Sequence, residues 1–303
     1  MAVQLGIAPI GWSNDDLPQL GGDTPLEACL SESRLAGFTG VESGGKFPMD
    51  AALLGPRLRA HDLQLASGWF SGRLLEGSVA RERERIEQQL ATFAALGAPV
   101  LVYAETTGTI QAAQDTPVSR RPTLDRARFP DYGRRLTELA EYLASRGVPM
   151  TYHPHMGTVI ETEEEVDLLM EHTGAAVGLL LDTGHLVFAG ADPLALARRH
   201  AARINHVHCK DIRAEVLAQV RDRDMSFLDA VLEGVFTVPG DGSIDFRAVA
   251  RLLAEIGYGG WVVVEAEQDP AKANPLTYAR IGYAELTAAL AEAGVEVDEG
   301  STE

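Results

Sequence analysis

Cysteine is scarce in this chain: Cys29 and Cys209 are the only two in 303 residues. A single pair gives no disulfide framework, so a reducing compartment, the cytoplasm, is the expected location. Basic residues are also few, with 26 Lys and Arg against 44 Asp and Glu and a net charge of −18. A phosphate backbone is gripped by basic patches, so nucleic acid is not an expected partner. No apolar run approaches the roughly 20 residues of a membrane span, which argues against a membrane protein. The opening stretch MAVQLGIAPIGW lacks a basic segment followed by a long apolar core, so no signal peptide is expected. Short-period repeats and interior linkers rich in Pro, Gly or Ser are missing too. What is present is 46% hydrophobic residues, enough for a full core in one large domain.

Strand-like and helix-like segments alternate along the whole chain. Short apolar runs at 3–8, 40–43, 63–69, 100–104, 150–153, 177–182, 204–208 and 261–265 read as buried strands. Helical patterns fall at 24–37, 78–96, 123–145, 161–172, 193–201, 226–232, 245–256 and 278–293. The first begins with Thr24-Pro25-Leu26-Glu27, which reads as a capping box with Pro at the first helical position; Gly37 suits its C-terminal cap. Such alternation implies parallel pairing, and eight units fit an α/β fold closed as a single (β/α)8 TIM barrel. The expected catalytic domain is 1–294. The acidic tail VEVDEGSTE, 295–303, is expected to fray. Two long loops, 105–122 and 210–224, follow the fourth and seventh strands and belong on the C-terminal face, where barrels carry their chemistry.

Four strands end in ionisable residues: MTYHPH at 150–155, VGLLLDTGH at 177–185, INHVHCKD at 204–211 and WVVVEAEQDP at 261–270. Side chains at i and i+2 share a strand face, so His206 and His208 point together, as do Glu265 and Glu267. Asp182, His208 and Glu265 end three neighbouring strands, and His153 is the natural fourth member. Converging carboxylates need a cation to offset their charge, and Asp, Glu and His suit a divalent ion of the Mn, Co, Fe or Zn type. The front half adds Trp12, Asn14 and Asp15 after the first strand, Glu42 at the end of the second, and Trp69 and Phe70 at the end of the third. Lys46, in a glycine-flanked loop, reads equally as an oxyanion holder or base and as a solvated surface residue.

Five stretches carry a family resemblance: GWSNDD at 11–16, AGFTGVE at 36–42, YHPHMGT at 152–158, LDTGH at 181–185 and HVHCKD at 206–211. Together they resemble the myo-inosose-2 dehydratases of inositol catabolism, in the xylose isomerase-like group of TIM barrels. The last two stretches are shared by that wider group, whereas the others separate the dehydratases from it. The resemblance implies a hydro-lyase acting on a cyclic polyol ketone, 2-keto-myo-inositol, with Co2+ or Mn2+ and with glutathione as a further cofactor. It places the metal on His153, Asp182, His208 and Glu265, with His153 standing where the wider group has Glu.

Lys46, His185 and Glu267 are then the candidates for proton transfer. Trp12, Asn14, Asp15, Glu42, His155 and Lys210 are the candidates for holding the substrate. A metal-dependent sugar isomerase or epimerase would use the same site, and a non-catalytic polyol-binding barrel would bind without turnover. An abasic-site endonuclease would need a cationic groove. A homo-oligomer is compatible with the composition.

Overall fold

The computed structural model describes residues 2–298. Eight parallel strands close a barrel: β1 (Ala2–Ile7), β2 (Gly40–Ser43), β3 (Gln64–Gly72), β4 (Leu101–Glu105), β5 (Met150–Tyr152), β6 (Val177–Asp182), β7 (Ile204–Cys209) and β10 (Trp261–Val264). Each pairs with the next in sequence, and β10 pairs with β1 to complete the ring. All eight expected strands are there, with ends shifted by a few residues at most. The single (β/α)8 barrel expected from the alternation is the observed fold.

Strand parity sorts the side chains. Along β10, Val262 and Val264 belong to the apolar layer between barrel and helices, whereas Trp261 and Val263 pack in a separate cluster with Ala8 and Ala66. Glu265 continues the second series. On β7, Val207 and Cys209 join the outer layer while His206 and His208 alternate away from it. Trp261 lies against Gly40, where a Cβ would stand 2.3 Å from its ring, so glycine is required there for the indole to approach the strand this closely.

The helices are α1 (Leu26–Ala36), α2 (Ala51–Ala60), α3 (Val79–Leu96), α4 (Phe129–Ser145), α5 (Glu163–His172), α6 (Thr183–Phe188), α7 (Pro193–Arg199), α8 (Ala214–Asp222), α9 (Phe227–Leu232), α10 (Phe246–Glu255) and α11 (Pro275–Glu292). Three of these differ from expectation. Gly55 and Pro56 interrupt the helical pattern of α2, yet Asp50 caps it by accepting from Ala52 N at 2.8 Å. The short α6 starts from Asp182 itself. The segment expected as the long loop 210–224 holds a two-residue strand, β8 (Asp211–Ile212), paired antiparallel with β9 (Phe236–Thr237), and then α8. The capping box expected at Thr24 does not form: Pro25 is extended and makes no side-chain cap, and α1 begins only at Leu26. Gly37 does close α1 in the left-handed conformation.

A satellite apolar cluster joins Leu17, Met156, Phe188, Leu217, Phe227 and Phe236. The two long segments are stitched together beside it, through Val118 N donating to Met225 O and Ser119 Oγ donating to Asp224. The first part of the acidic tail is paired to the barrel. β11 (Glu296–Val297) pairs with Ala2 and Val3, and Asp298 N donates to Val3 O. Residues 299–303 of the expected tail lie outside the described residues.

Candidate functional site

The site is set by how β5, β6, β7 and β10 end. Asp182 and His208 are register partners across β6 and β7, just past an irregularity at Leu179/Leu180. Asp182 Oδ1 accepts from His185 N at 2.7 Å, which caps α6 and fixes the carboxylate. Its Oδ2 is buried and has no hydrogen-bond partner. It lies 3.7 Å from His153 Nε2 and 3.5 Å from His208 Nδ1. Glu265 Oε2 is 2.5 Å from the same Nδ1. One ligand atom from each of His153, Asp182, His208 and Glu265 lies within 4.8 Å of the others.

Hydrogen bonds fix the tautomers around this centre. His153 Nδ1 donates to Pro154 O at 2.8 Å, which leaves the Nε2 lone pair facing Asp182. His208 donates from Nε2 to Glu42 Oε1 at 3.0 Å, which leaves Nδ1 facing Asp182 and Glu265. The carboxylates and ring nitrogens therefore converge, an arrangement that is repulsive unless a cation lies among them. With no metal bound that charge is a proton on His208: burial opposes it, but Glu265 and Glu42 hold the imidazole well above its ordinary range. Two imidazole nitrogens and two carboxylates are also a donor set suited to a divalent transition ion. The residues fit such an ion.

Among the described residues, two other groups have comparable spacing, and each already has donors from the protein directed at its carboxylate. Glu42, His206 and His208 are joined by N–H···O hydrogen bonds. In the group His155, His185 and Glu267, the ammonium of Lys210 lies 2.9 Å from His185 Nε2 and 2.7 Å from Glu267 Oε2.

Charge follows from this packing. Burial pushes the Glu265 carboxyl up, but His208 and Lys210 outweigh it and hold the group below the ordinary carboxylate range. Burial lowers His153, reinforced by the neighbouring imidazoles, and keeps the ring neutral as a ligand must be. Lys210 resists burial because Glu265, Glu267 and Asp182 surround it, and it stays charged.

Above the cluster is a cavity of about 120 Å³, room for one small molecule. Its walls include Asp15, Asp16, Trp69, Gln111, His155 and Glu267. Gln111 Nε2 donates to Asp16 Oδ2 at 3.2 Å, and burial pushes the Asp16 carboxyl up. Behind His155 lies His185, with ring centroids 4.0 Å apart.

Several expected site residues are placed elsewhere. Lys46 is outside this cavity: its Nζ donates to the carbonyls of Gly21, Gly22 and Thr24 at 3.0, 2.8 and 2.5 Å, so it ties a loop rather than facing a substrate. Trp12 is buried with Nε1 donating to Glu32 at 2.6 Å. Asn14 is a buried turn residue whose Oδ1 accepts from Asp16 N and Leu17 N. Lys210 is wholly buried beneath Glu265 and Glu267 and does not line the cavity. Asp15, Glu42, His155 and Glu267 do line it. Asp16 and Gln111 are cavity residues that the sequence reading does not single out. Asp16 had a signal in the second acidic position of GWSNDD; Gln111, inside a long loop, had none. Cys29 and Cys209 are both buried and burial pushes both thiols up, Cys29 to about 12, so neither offers a thiolate to glutathione.

Residues 30–296 match the family described as xylose isomerase-like TIM barrel. The rhizopine catabolism protein MocC of Rhizobium meliloti is 53% identical over 294 residues, covering 97% of this chain and 90% of that protein. An inosose dehydratase of Geobacillus thermodenitrificans is 48% identical over 279 residues, covering 91% and 94%. Among solved structures, an L-ribulose 3-epimerase superposes with a TM-score of 0.68 at 19% identity, over 97% of this chain and 96% of that one, a likeness of fold alone. Matched in sequence along nearly its whole length, the chain belongs to the xylose isomerase-like TIM barrel family.

Proposed function

We propose that this protein is an inosose dehydratase: a metal-dependent hydro-lyase that removes water from 2-keto-myo-inositol to give a trihydroxycyclohexane-1,2-dione, in inositol catabolism. The observation that carries the reading is the convergence of ligand atoms from His153, Asp182, His208 and Glu265, with Asp182 Oδ2 lacking a hydrogen-bond partner, beneath a small cavity that Glu267 also lines. A divalent ion, cobalt or manganese as the family resemblance implies, would be held by those four residues and would supply Lewis acidity to a ketone oxygen.

The chain's own residues handle the proton. Glu267 accepts the proton as the α C–H bond breaks, while its Oε2 stays on Lys210 Nζ at 2.7 Å, which keeps the carboxylate aimed. Its Oε1 is 4.0 Å from His155 Nε2, and Nδ1 of that ring donates to Met156 O. His155 Nε2 is thus free to receive the proton and pass it to the departing β-hydroxyl, which leaves as water. His185, 3.7 Å from Glu267 Oε1, backs this pair. The enol left behind takes its keto form and becomes the dione. Asp15, Asp16 and Gln111 hold ring hydroxyls, and Trp69 walls one side.

The test is ultraviolet absorbance of the dione after the metal-loaded protein is mixed with 2-keto-myo-inositol. A rhizopine is assayed alongside, because the MocC relative is named for rhizopine catabolism. Recovery of an unchanged or epimerised ring overturns the reading.

A further inference from the structure

Glu42 is the penultimate residue of β2, at a register shift between Val41 and Glu42 that sets it opposite Ser67 of β3. Such a shift re-aims a side chain, and here it turns Glu42 into the barrel. One oxygen, Oε1, then receives three donors: Ser67 Oγ, His206 Nε2 at 2.9 Å and His208 Nε2 at 3.0 Å. An ionised carboxylate only accepts, so both imidazoles carry their proton on Nε2. For His208 this turns Nδ1 toward the carboxylates, 3.5 Å from Asp182 Oδ2 and 2.5 Å from Glu265 Oε2, so Nδ1 is the nitrogen that would give up its proton to a metal ion.

We propose that Glu42 is a positioning residue for the metal centre: it fixes the Nε2–H tautomer and ring orientation of His208, so that Nδ1 faces Asp182 and Glu265. Ser67 and His206 in turn hold Glu42. The proposal rests on the reading that His153, Asp182, His208 and Glu265 hold a divalent ion. It gives Glu42 a different task from binding substrate hydroxyls. A ligating histidine with its other nitrogen on a carboxylate is held in one orientation and made more basic, and loss of the carboxylate typically weakens metal binding ~10–100-fold.

The experiment titrates chelator-stripped wild type, Glu42→Gln, Glu42→Ala and His208→Ala with Co2+, reading heat and the visible absorption of the bound ion. Wild type should bind one ion per chain and His208→Ala should lose most of the affinity. Glu42→Gln, whose amide can turn an N–H toward either imidazole, should bind ~10–100-fold more weakly with an altered cobalt spectrum. A folded Glu42→Gln with wild-type affinity and spectrum but a raised KM overturns the proposal and makes Glu42 a substrate contact. If wild type binds no ion, or His208→Ala binds as well as wild type, the metal reading itself fails and the proposal with it. A second measurement needs no variant: nitrogen-15 histidine spectra of the zinc-loaded wild type should show His208 protonated on Nε2 and ligated through Nδ1. A proton on Nδ1 overturns the proposal.

Discussion

Asp182 and His208 face one another from paired positions on adjacent strands, with Oδ2 of one 3.5 Å from Nδ1 of the other. Asp182 also caps α6 through its other oxygen. Asp182→Asn can keep that cap while losing the charge, so the variant should fold but retain less metal. Elemental analysis after desalting should find substoichiometric metal, and excess Mn2+ or Co2+ should restore part of the activity. Full metal occupancy in the variant would remove Asp182 from the centre.

Glu267→Gln should separate proton transfer from metal binding. The amide fills the same space but accepts no proton from carbon. Metal content should stay at the wild-type level while kcat falls by ~100-fold or more. A kcat within a few-fold of wild type would pass the base role to another group of the cavity.

Lys46→Ala should leave kcat and KM near wild type, because its ammonium is spent on three backbone carbonyls away from the cavity. Those carbonyls belong to the loop before α1, and leaving them less well bonded should cost about 1–3 kcal/mol. Urea unfolding reads the loss. A large fall in kcat with unchanged stability would contradict this placement.

Glu161 gives a pH dependence away from the metal centre. Burial pushes its carboxyl up to about 7, despite Arg121 at 3.3 Å and a hydrogen bond from Gly157 N. A carboxyl whose folded pKa is raised stabilises the fold most when protonated. Its contribution is present below the ordinary Glu range and is lost as pH rises through about 7. Glu161→Gln removes this term. Between pH 5 and 7.5 the variant should therefore gain stability relative to wild type, by about 2–3 kcal/mol if the full shift is expressed. Parallel denaturation curves at the two pH values, with no relative gain, would refute it.

The barrel was legible because each strand is a short apolar run closed by Gly, Pro or a charged residue, and the converging ends of β5, β6, β7 and β10 follow from strand parity. His153, Asp182, His208 and Glu265 could be brought together on that argument alone, whereas their task as ligands belongs to the proposal. The positions of Lys46, Trp12, Asn14 and Lys210 relative to the cavity could not be read in the same way, since each lies in or next to a loop whose path parity does not govern. Polar side chains there bond to nearby backbone as readily as they face a ligand. Gln111 was invisible for the same reason. α2 was hidden by Gly55 and Pro56, where packing and the Asp50 cap override local propensity.

Among the described residues, the cavity lining holds Asp15, Asp16, Glu42, Glu265 and Glu267 but no lysine or arginine. Even with Lys210 below and a divalent ion in place, the mouth stays negative. Its field does nothing to gather an uncharged ring, turns away one bearing phosphate or carboxylate, and draws in dications. Metal loading and substrate capture should therefore part company as salt is added. The rate of Mn2+ or Co2+ uptake by the stripped protein should drop steeply as the Debye length shrinks toward ~3 Å, while kcat/KM of the loaded protein for a neutral polyol ketone stays flat.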